Sequence, residues 1–345
     1  MAKLTLDHIS KHFNQQTVVD DLSLVLPEGG FTALLGPSGC GKTTTLRILA
    51  GLENLSQGRL LMGDQLLADA SHHTPPEERQ MGMVFQSYAL WPHMTVAENV
   101  GYPLKLKKVA GAERHKRIMD ALELVELGAY AHRSPLELSG GQRQRVALAR
   151  CLVAEPRVVL LDEPLANLDR HLRATMEQTF REFHRRTEAT FVYVTHDQAE
   201  AMALASHIAV MHQGRLMQWG APQALYQRPH NDWVARFIGK GSILSLPTSS
   251  SVPSLLTESQ LHSSIASNIG GPLQSVLIRP EHVAIHSDGV KAYVKSCIYQ
   301  GERYQVELCL HDGQSLMAYH HSPLQRQQPV AIRLKQGWQV EGVGV

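Results

Sequence analysis

A glycine-rich segment that ends in a lysine and a threonine carries the residue types that bind phosphate. It fits the pattern G-x-x-x-x-G-K-[ST] and consists of Gly36, Pro37, Ser38, Gly39, Cys40, Gly41, Lys42 and Thr43. Backbone N–H groups of such a loop converge on one point, and a helix that begins there adds the positive end of its dipole. A polyanionic phosphate chain fits this loop, with Lys42 reaching the β- and γ-phosphates and the Thr43 hydroxyl ligating Mg²⁺. Thr44 follows directly and is predicted to contact phosphate as well.

The segments on both sides of this loop suit that role. Residues 31–35 form a short apolar run typical of a buried strand, and residues 44–50 have the pattern of a helix that stops at Gly51. A glycine-rich turn that binds nothing is the alternative interpretation, and the strand–loop–helix context argues against it.

Polar residues also follow three further apolar runs. These residues are Gln86, Asp162, Glu163 and His196, and the runs are 83–85, 158–161 and 191–194. Near-continuous apolar runs are typical of strands buried on both faces of a parallel sheet. Ligands bind beyond the carboxyl ends of such strands, so we expect the phosphate loop and these polar residues to converge on one crevice.

Asp162 and Glu163 place two carboxylates at a single strand end. Asp162 is positioned to hold Mg²⁺ through its water shell, and Glu163 is free to polarise an attacking water. General-base help of this kind contributes about 10²–10⁴-fold to a rate. A solvated acidic turn is the alternative, and the phosphate loop in the same chain favours the catalytic interpretation.

A second helix start with anion-binding character lies at residues 138–142. Ser139 is a natural N-cap, Gly140 and Gly141 let the backbone approach a ligand, and Gln142 follows. On its own this stretch is more typical of a plain cap and turn.

The chain divides by pattern into two predicted domains. Residues 1–240 alternate strand-like and helix-like segments, which indicates an α/β domain, and a helix-rich part lies at about 88–155. Residues 241–345 predict a small all-β barrel domain, in which a Ser- and Pro-rich stretch at 245–268 predicts a linker or long loop before the barrel strands. Helices are predicted at 113–127 and 143–153, and C-terminal strands at 275–278, 290–299, 305–310, 315–319 and 330–334.

Composition excludes several classes of protein. A length of 345 residues favours about two domains, and the balance of 33 Lys and Arg against 32 Asp and Glu argues against a nucleic-acid partner. No apolar run approaches the roughly 20 residues of a spanning helix, and the N-terminus lacks a signal-peptide pattern. The four cysteines show no C-x-x-C spacing, so a reducing cytosol suits them.

Together these motifs resemble the nucleotide-binding subunit of ABC transporters over the whole chain. Residues 36–43 look like Walker A, residues 158–163 like Walker B, and Leu138-Ser139-Gly140-Gly141-Gln142 matches the LSGGQ signature without departure. Gln86 stands in the Q-loop place, Ala166-Asn167-Leu168-Asp169 in the D-loop place, and His196 in the place of the switch histidine. The resemblance implies a P-loop NTPase fold with an inserted helical subdomain and ATP hydrolysis that depends on Mg²⁺.

The resemblance also implies a head-to-tail homodimer that sandwiches two ATP molecules. Ser139, Gly141 and Gln142 of one subunit would contact the γ-phosphate bound to the other, with Gly140 in the same signature. His196 would contact that phosphate within its own chain. Gln86 would touch Mg²⁺ and the attacking water and signal to the membrane partner, and Asp169 would link the two sites.

Two further residues, Phe13 and Cys40, suggest hypotheses about adenine stacking and about thiol reactivity. Phe13 stands where relatives stack an aromatic side chain on adenine, with His12 a weaker candidate and an ordinary core phenylalanine the alternative. Cys40 lies next to a helix N-terminus, which predicts a lowered thiol pKa and alkylation that ATP prevents. A small space-filling residue without a redox role is the alternative for Cys40.

The remaining features point to a bacterial importer. Residues 88–104 stand where importers grip a coupling helix of the permease, with Trp91 and Met94 as apolar contacts or as local core. Ile278-Arg279-Pro280-Glu281-His282 resembles the TOBE domain of importer ATPases. The motifs look most like ferric-iron importers, with polyamine, phosphonate, sulfate and sugar importers as alternatives. A non-transport ABC ATPase of DNA repair or translation is a remote alternative.

That resemblance implies partners and a location. The partners are a second copy of the chain, transmembrane permease subunits and, indirectly, a periplasmic solute-binding protein, with no nucleic acid among them. The expected location is the cytoplasmic face of the bacterial inner membrane, where the chain would be peripheral.

Overall fold

The computed structural model describes residues 3–166, 168–247, 254–266 and 272–341. By its own contacts the chain separates into two compact units, Met1–Pro222 and Gln223–Val345. The domain boundary at residue 240 stays a prediction. Asn167 of the D-loop, together with parts of the Ser-rich stretch, lies outside the described residues.

The described residues form the following elements. The strands are β1 (Leu4–Phe13), β2 (Gln16–Leu26), β3 (Phe31–Leu35), β4 (Gln57–Met62), β5 (Gln65–Ala68), β6 (Met81–Val84), β7 (Val158–Asp162), β8 (Thr190–Thr195), β9 (His207–His212), β10 (Arg215–Gly220), β11 (Ser242–Pro247), β12 (Leu255–Thr257), β13 (Leu273–Ile278), β14 (Val283–His286), β15 (Val290–Tyr299), β16 (Tyr304–Leu310), β17 (Ser315–His320), β18 (Pro329–Leu334) and β19 (Gln336–Val340). The helices are α1 (Lys42–Ala50), α2 (Val96–Leu106), α3 (Gly111–Leu124), α4 (Gly140–Leu152), α5 (Arg170–Thr187), α6 (Gln198–Leu204), α7 (Pro222–Gln227), α8 (Asp232–Phe237) and α9 (Glu258–Ala266).

The central sheet of the first unit has the strand order β10-β9-β3-β8-β7-β6. β3, β8, β7 and β6 are parallel neighbours, so their carboxyl ends lie at one edge of the sheet. Every residue of β3 and of β8 is buried, as expected for strands covered on both faces. The predicted convergence of these strand ends is confirmed.

A second, antiparallel sheet of this unit has the order β2-β1-β4-β5. Helix α1 contacts β2 of this sheet and both β7 and β8 of the central sheet. Its side chains Leu46 and Leu49 are buried in one core with Leu34 of β3 and Leu160 of β7. The helix that begins at the phosphate loop is therefore packed against strands of both sheets.

Helices α2, α3 and α4 make up the predicted helix-rich part and contact one another. Helix α4 begins at Gly140, before the predicted 143, because Ser139 and Gln142 form a reciprocal capping box. Helix α3 ends at Leu124 instead of 127, and Glu126 just beyond it has a left-handed backbone with φ 58.

The second unit contains two antiparallel sheets, with the orders β11-β13-β19-β12 and β14-β18-β15-β16-β17. The predicted C-terminal strands are confirmed within one or two residues. The prediction of a linker or long loop is wrong where the stretch is described, because β12 and α9 fall within it and β11 extends into it. Leu244 and Leu246 alternate into the core, and Leu261 of α9 is buried with them.

Candidate functional site

The phosphate loop between β3 and α1 has a backbone that only its glycines permit. Gly39 and Gly41 have φ of 79 and 97, in the left-handed region that side chains disfavour. A Cβ on Gly36 would lie 2.2 Å from the Met211 carbonyl oxygen, and one on Gly41 would lie 2.5 Å from the Val18 carbonyl oxygen. The loop is thus enclosed by β2 and β9 and held in one shape.

Lys42 points its ammonium into this loop. Its Nζ donates to the carbonyl oxygens of Gly36 and Pro37, both at 2.8 Å, and the side chain is 4% exposed. A cation held at the centre of a loop at a helix N-terminus favours polyanionic phosphate. Pro37, Ser38 and Thr44 lie in the same loop and the first turn of α1.

Thr43 and Asp162 bring the phosphate loop and β7 together. The Thr43 hydroxyl donates to Asp162 Oδ1 at 3.1 Å, although the two residues are far apart in the chain. Burial raises the pKa of the Asp162 carboxyl, while the Thr43 hydrogen bond opposes that rise and the neighbouring Glu163 adds to it. A hydroxyl and a carboxylate are hard oxygen donors of the kind Mg²⁺ prefers, so these residues fit the ion.

Glu163 and His196 meet at the ends of β7 and β8. His196 Nδ1 lies 3.3 Å from Glu163 Oε2, and the Glu163 N–H donates to the Val194 carbonyl oxygen at 3.1 Å. Glu163 has φ 42, a left-handed conformation that costs a residue with a side chain about 1–2 kcal/mol. The backbone is thus held where the carboxylate reaches the exposed histidine. Such strain is common at functional sites.

Gln86 lies two residues past β6, which is the edge strand next to β7. Its side chain is exposed at the same edge of the sheet as Asp162. The structure therefore places the predicted catalytic and metal-binding residues along neighbouring strand ends.

The signature residues lie at the start of α4 in the helical part. Ser139 Oγ accepts from the Gln142 N–H at 3.3 Å, and the Ser139 N–H donates to Gln142 Oε1 at 2.9 Å. A Cβ on Gly141 would lie 2.5 Å from Leu172 Cδ2. Asp169 caps α5 by accepting from the Leu172 N–H at 2.9 Å, so the signature and Asp169 belong to one surface.

Phe13 lies at the end of the β1–β2 hairpin and is 42% exposed, so the alternative of an ordinary core residue does not hold. The Lys11 ammonium lies 4.7 Å from its ring centroid. The same hairpin carries Val18, whose carbonyl abuts Gly41 of the phosphate loop. An exposed ring at the end of a hairpin that also packs on that loop suits base stacking.

The predicted lowering of the Cys40 pKa is wrong. The thiol is 3% exposed, and its burial raises the pKa despite the opposing effect of Lys42. The helix N-terminus does not outweigh desolvation here.

Two arginines that were not predicted from the sequence bind backbone segments next to the site. The Arg79 guanidinium is buried beneath the C-terminal end of α1, and the Arg150 guanidinium binds the segment after Gln86. Both act on backbone carbonyl groups, which any sequence can supply, so no motif marked them.

A phosphate loop, an acidic strand end and a histidine on adjacent parallel strands, with a signature helix in an inserted helical part, define a P-loop ATPase of the ABC class. The ABC transporter family profile matches residues 19–166, and the TOBE domain profile matches residues 276–339. The chain belongs to the ABC transporter ATP-binding proteins, carries a C-terminal TOBE domain and is an ATPase, as the resemblance implied.

Relatives and solved structures agree with that assignment. The Fe(3+) ions import ATP-binding protein of Pectobacterium atrosepticum is 41% identical over 316 residues, which cover 90% of this chain and 88% of that protein. The spermidine/putrescine import ATP-binding protein of Nitrosomonas eutropha is 46% identical over 293 residues, covering 83% and 80%. The dimeric structure of MJ0796, a bacterial ABC transporter cassette, has a TM-score of 0.58 and 31% identity, covering 63% of this chain and 98% of that one. Among the described helices, none combines the length and the apolar character that a membrane crossing requires.

Proposed function

We propose that this chain hydrolyses ATP as one half of a head-to-tail homodimer that energises solute import through a membrane permease. The observation that carries the proposal is the Glu163–His196 pair, 3.3 Å apart, at the strand end that also holds Asp162 against Thr43. In this proposal Glu163 is the base and His196 its orienting partner, next to two oxygen groups that could bind a phosphate-bound cation.

Each residue has a distinct role in the proposed reaction. The loop N–H groups and Lys42 would bind the phosphates, while Thr43 and Asp162 would hold Mg²⁺, which would supply neutralising charge. Glu163 accepts the proton of the attacking water, and His196 fixes the carboxylate and contacts the γ-phosphate. Gln86, at the end of the adjacent strand, orients that water.

The proposed dimer completes the site with the other chain's signature. Helix α4 presents N–H groups at Gly140 and Gly141, and its N-terminal dipole favours an anion. Ser139 is exposed at this helix start, as contact across an interface requires. Asp169 lies against the same surface through Leu172 and would link the two sites. Phe13 would stack on adenine.

A groove on the helical part supports a permease partner. Its volume is about 300 Å³, and its lining combines Met94, Gly101, Tyr102 and Ile118 with the charged residues Glu98, Lys105 and Arg114. Trp91 is half-buried against Tyr102, with ring centroids 4.5 Å apart. A groove that offers both apolar and charged side chains suits a short amphipathic helix. We place the chain on the cytoplasmic face of the inner membrane, where it would receive solute signals indirectly from a periplasmic binding protein.

For the solute we propose ferric iron, with a polyamine as the second candidate. The iron-import relative is 41% identical and aligns over 316 residues, and the polyamine-import relative is 46% identical over a shorter 293 residues. The solute-binding protein encoded beside this chain tests the choice, through its affinity for Fe³⁺ and for spermidine. If the binding protein bound neither solute tightly, phosphonate, sulfate and sugar would become the candidate solutes.

The catalytic role is tested with Glu163→Gln. We expect ATP to bind with unchanged affinity and to be hydrolysed at least about a hundredfold more slowly, as for a lost general base. Glu188→Gln is the matched control, because Glu188 is an exposed glutamate with the same left-handed backbone, φ 52, at the end of α5. Near-normal turnover of Glu163→Gln would refute the assignment of the base.

A further inference from the structure

The segment that follows Gln86 is held by an arginine from the signature helix. Tyr88 and Ala89 have φ of 62 and 46, two consecutive left-handed residues with side chains. Their carbonyl oxygens accept from the two terminal nitrogens of Arg150, at 2.9 Å for Tyr88 and 2.7 Å for Ala89. This bidentate contact stabilises a backbone shape that is otherwise unfavourable.

The next part of the segment is fixed to α2. Asn99 is fully buried, and its side chain accepts from the Trp91 N–H at 2.9 Å. Its amide donates to the carbonyl oxygens of Trp91, Met94 and Thr95 at 3.0, 3.3 and 3.0 Å. The Arg150 guanidinium also lies over the Trp91 ring, 4.9 Å from its centroid. Arg150 thus binds the segment through its backbone and through Trp91.

Gln86 lies between two fixed points. On one side the backbone is paired in β6, and on the other the Tyr88 N–H donates back to the Phe85 carbonyl oxygen at 2.9 Å. Arg150 holds that second point, and it lies on α4 about three turns, or roughly 16 Å, beyond Ser139. A straight helix of this length is stiff, so the signature and the Gln86 loop share a rigid support.

We propose that Arg150 is a positioning residue that fixes the Gln86 loop to the signature helix and thereby sets the turnover rate through Gln86. This inference rests on the proposed ATPase role of Gln86. A lysine at this position keeps the charge, but it cannot donate to both carbonyl groups in the plane of a guanidinium. In the Arg150→Lys variant the Gln86 loop should therefore keep its backbone fold but lose its fixed orientation.

The test is a double-mutant cycle on the purified full chain with Mg²⁺ and ATP, comparing Arg150→Lys, Gln86→Ala and the combined variant. We expect Arg150→Lys to lower kcat about tenfold, the scale of one hydrogen bond from a charged donor, and to leave KM within about twofold. In the Gln86→Ala background Arg150→Lys should change kcat by less than about twofold, because its effect passes through Gln86.

Arg145→Lys is the matched control on the same helix. Arg145 donates to the Val125 carbonyl oxygen at 3.0 Å, away from the Gln86 loop. The kcat of the Arg145→Lys variant should therefore stay at the wild-type value. Hydrogen exchange at residues 87–91 should rise in Arg150→Lys and not in Arg145→Lys. An unchanged kcat in Arg150→Lys, or the same fractional loss with and without Gln86, would overturn the inference.

The two hypotheses fail in different ways. If the wild-type chain does not hydrolyse ATP, or if Glu163→Gln is fully active, the proposed function is wrong. If the wild-type chain and Glu163→Gln behave as expected while Arg150→Lys matches Arg145→Lys, only the role of Arg150 is wrong.

Discussion

Arg79 is fully buried beneath the C-terminal end of α1, the helix that begins at the phosphate loop. Its guanidinium donates to the carbonyl oxygens of Ile48 at 2.6 Å, Leu49 at 2.9 Å and Thr74 at 2.7 Å. Burial lowers the pKa of Arg79 to about 10, which leaves it charged at neutral pH. Arg79→Met keeps most of the side-chain volume and removes these three hydrogen bonds, together with the weaker one from Nη2 to His73 Nδ1 at 3.4 Å.

The expected loss follows from those three bonds. A buried polar group left without its partner costs about 1–3 kcal/mol. Arg79→Met leaves three backbone carbonyl groups without a donor, but the methionine side chain does not require a charge to be desolvated, which offsets part of the loss. We therefore expect the free energy of unfolding of the first unit to fall by about 3 kcal/mol. For a unit of this size that corresponds to a fall in Tm of about 6–12 °C.

Urea and thermal unfolding, followed by circular dichroism, measure this loss. Arg59→Met is the matched control, because Arg59 is an exposed arginine paired with Asp7 at 2.7 Å. A surface ion pair of this kind contributes about 0–1 kcal/mol. If Arg79→Met lost no more stability than Arg59→Met, the reasoning that Arg79 supports α1 would be refuted.

Three other predictions concern single side chains. Lys42→Ala should weaken ATP binding at least about tenfold, measured by titration calorimetry, and unchanged affinity would refute the Lys42 role. Burial lowers the pKa of His184 in the folded chain, so the unfolded chain takes up a proton at a higher pH than the folded chain does. The free energy of unfolding should therefore fall as the pH drops below about 6.5. The difference between Tm at pH 7.5 and Tm at pH 5.5 should be smaller in His184→Phe than in the wild-type chain. Burial raises the pKa of Cys151 to about 12. Alkylation at pH 8, measured by peptide mass spectrometry, should therefore modify the partly exposed Cys297 and Cys309 before Cys151. Early modification of Cys151 would contradict its burial.

Much of the first unit could be predicted from the sequence, because its strands are continuous apolar runs that end in polar residues. The order β3-β8-β7-β6 places Asp162, Glu163 and His196 together as those runs indicated. Ser139, predicted as an N-cap, likewise marked the start of α4, although the predicted helix began later. Local patterns were sufficient wherever the physical cause was itself local.

The missed features depend on contacts between distant parts of the chain. Arg79 and Arg150 bind backbone carbonyl groups of residues that are distant in the chain, and no local pattern reveals such contacts. Helix α9 has a mostly polar composition with Leu261 and Ile265 as its core contacts, too few for a clear helical period. The Cys40 prediction was wrong because burial, which the sequence does not show, outweighs the helix dipole.

The composite site is tested most directly by counting the ATP trapped in a defined heterodimer. Both chains carry Glu163→Gln to block hydrolysis, one also carries Lys42→Ala, the other carries Ser139→Phe, and two different tags allow the mixed dimer to be purified. Only one of its two sites then combines an intact phosphate loop with an intact signature from the other chain. A head-to-tail dimer of this kind should trap one ATP in the heterodimer and none in either parent homodimer. A heterodimer that traps none, or a Ser139→Phe homodimer that traps two, would contradict it.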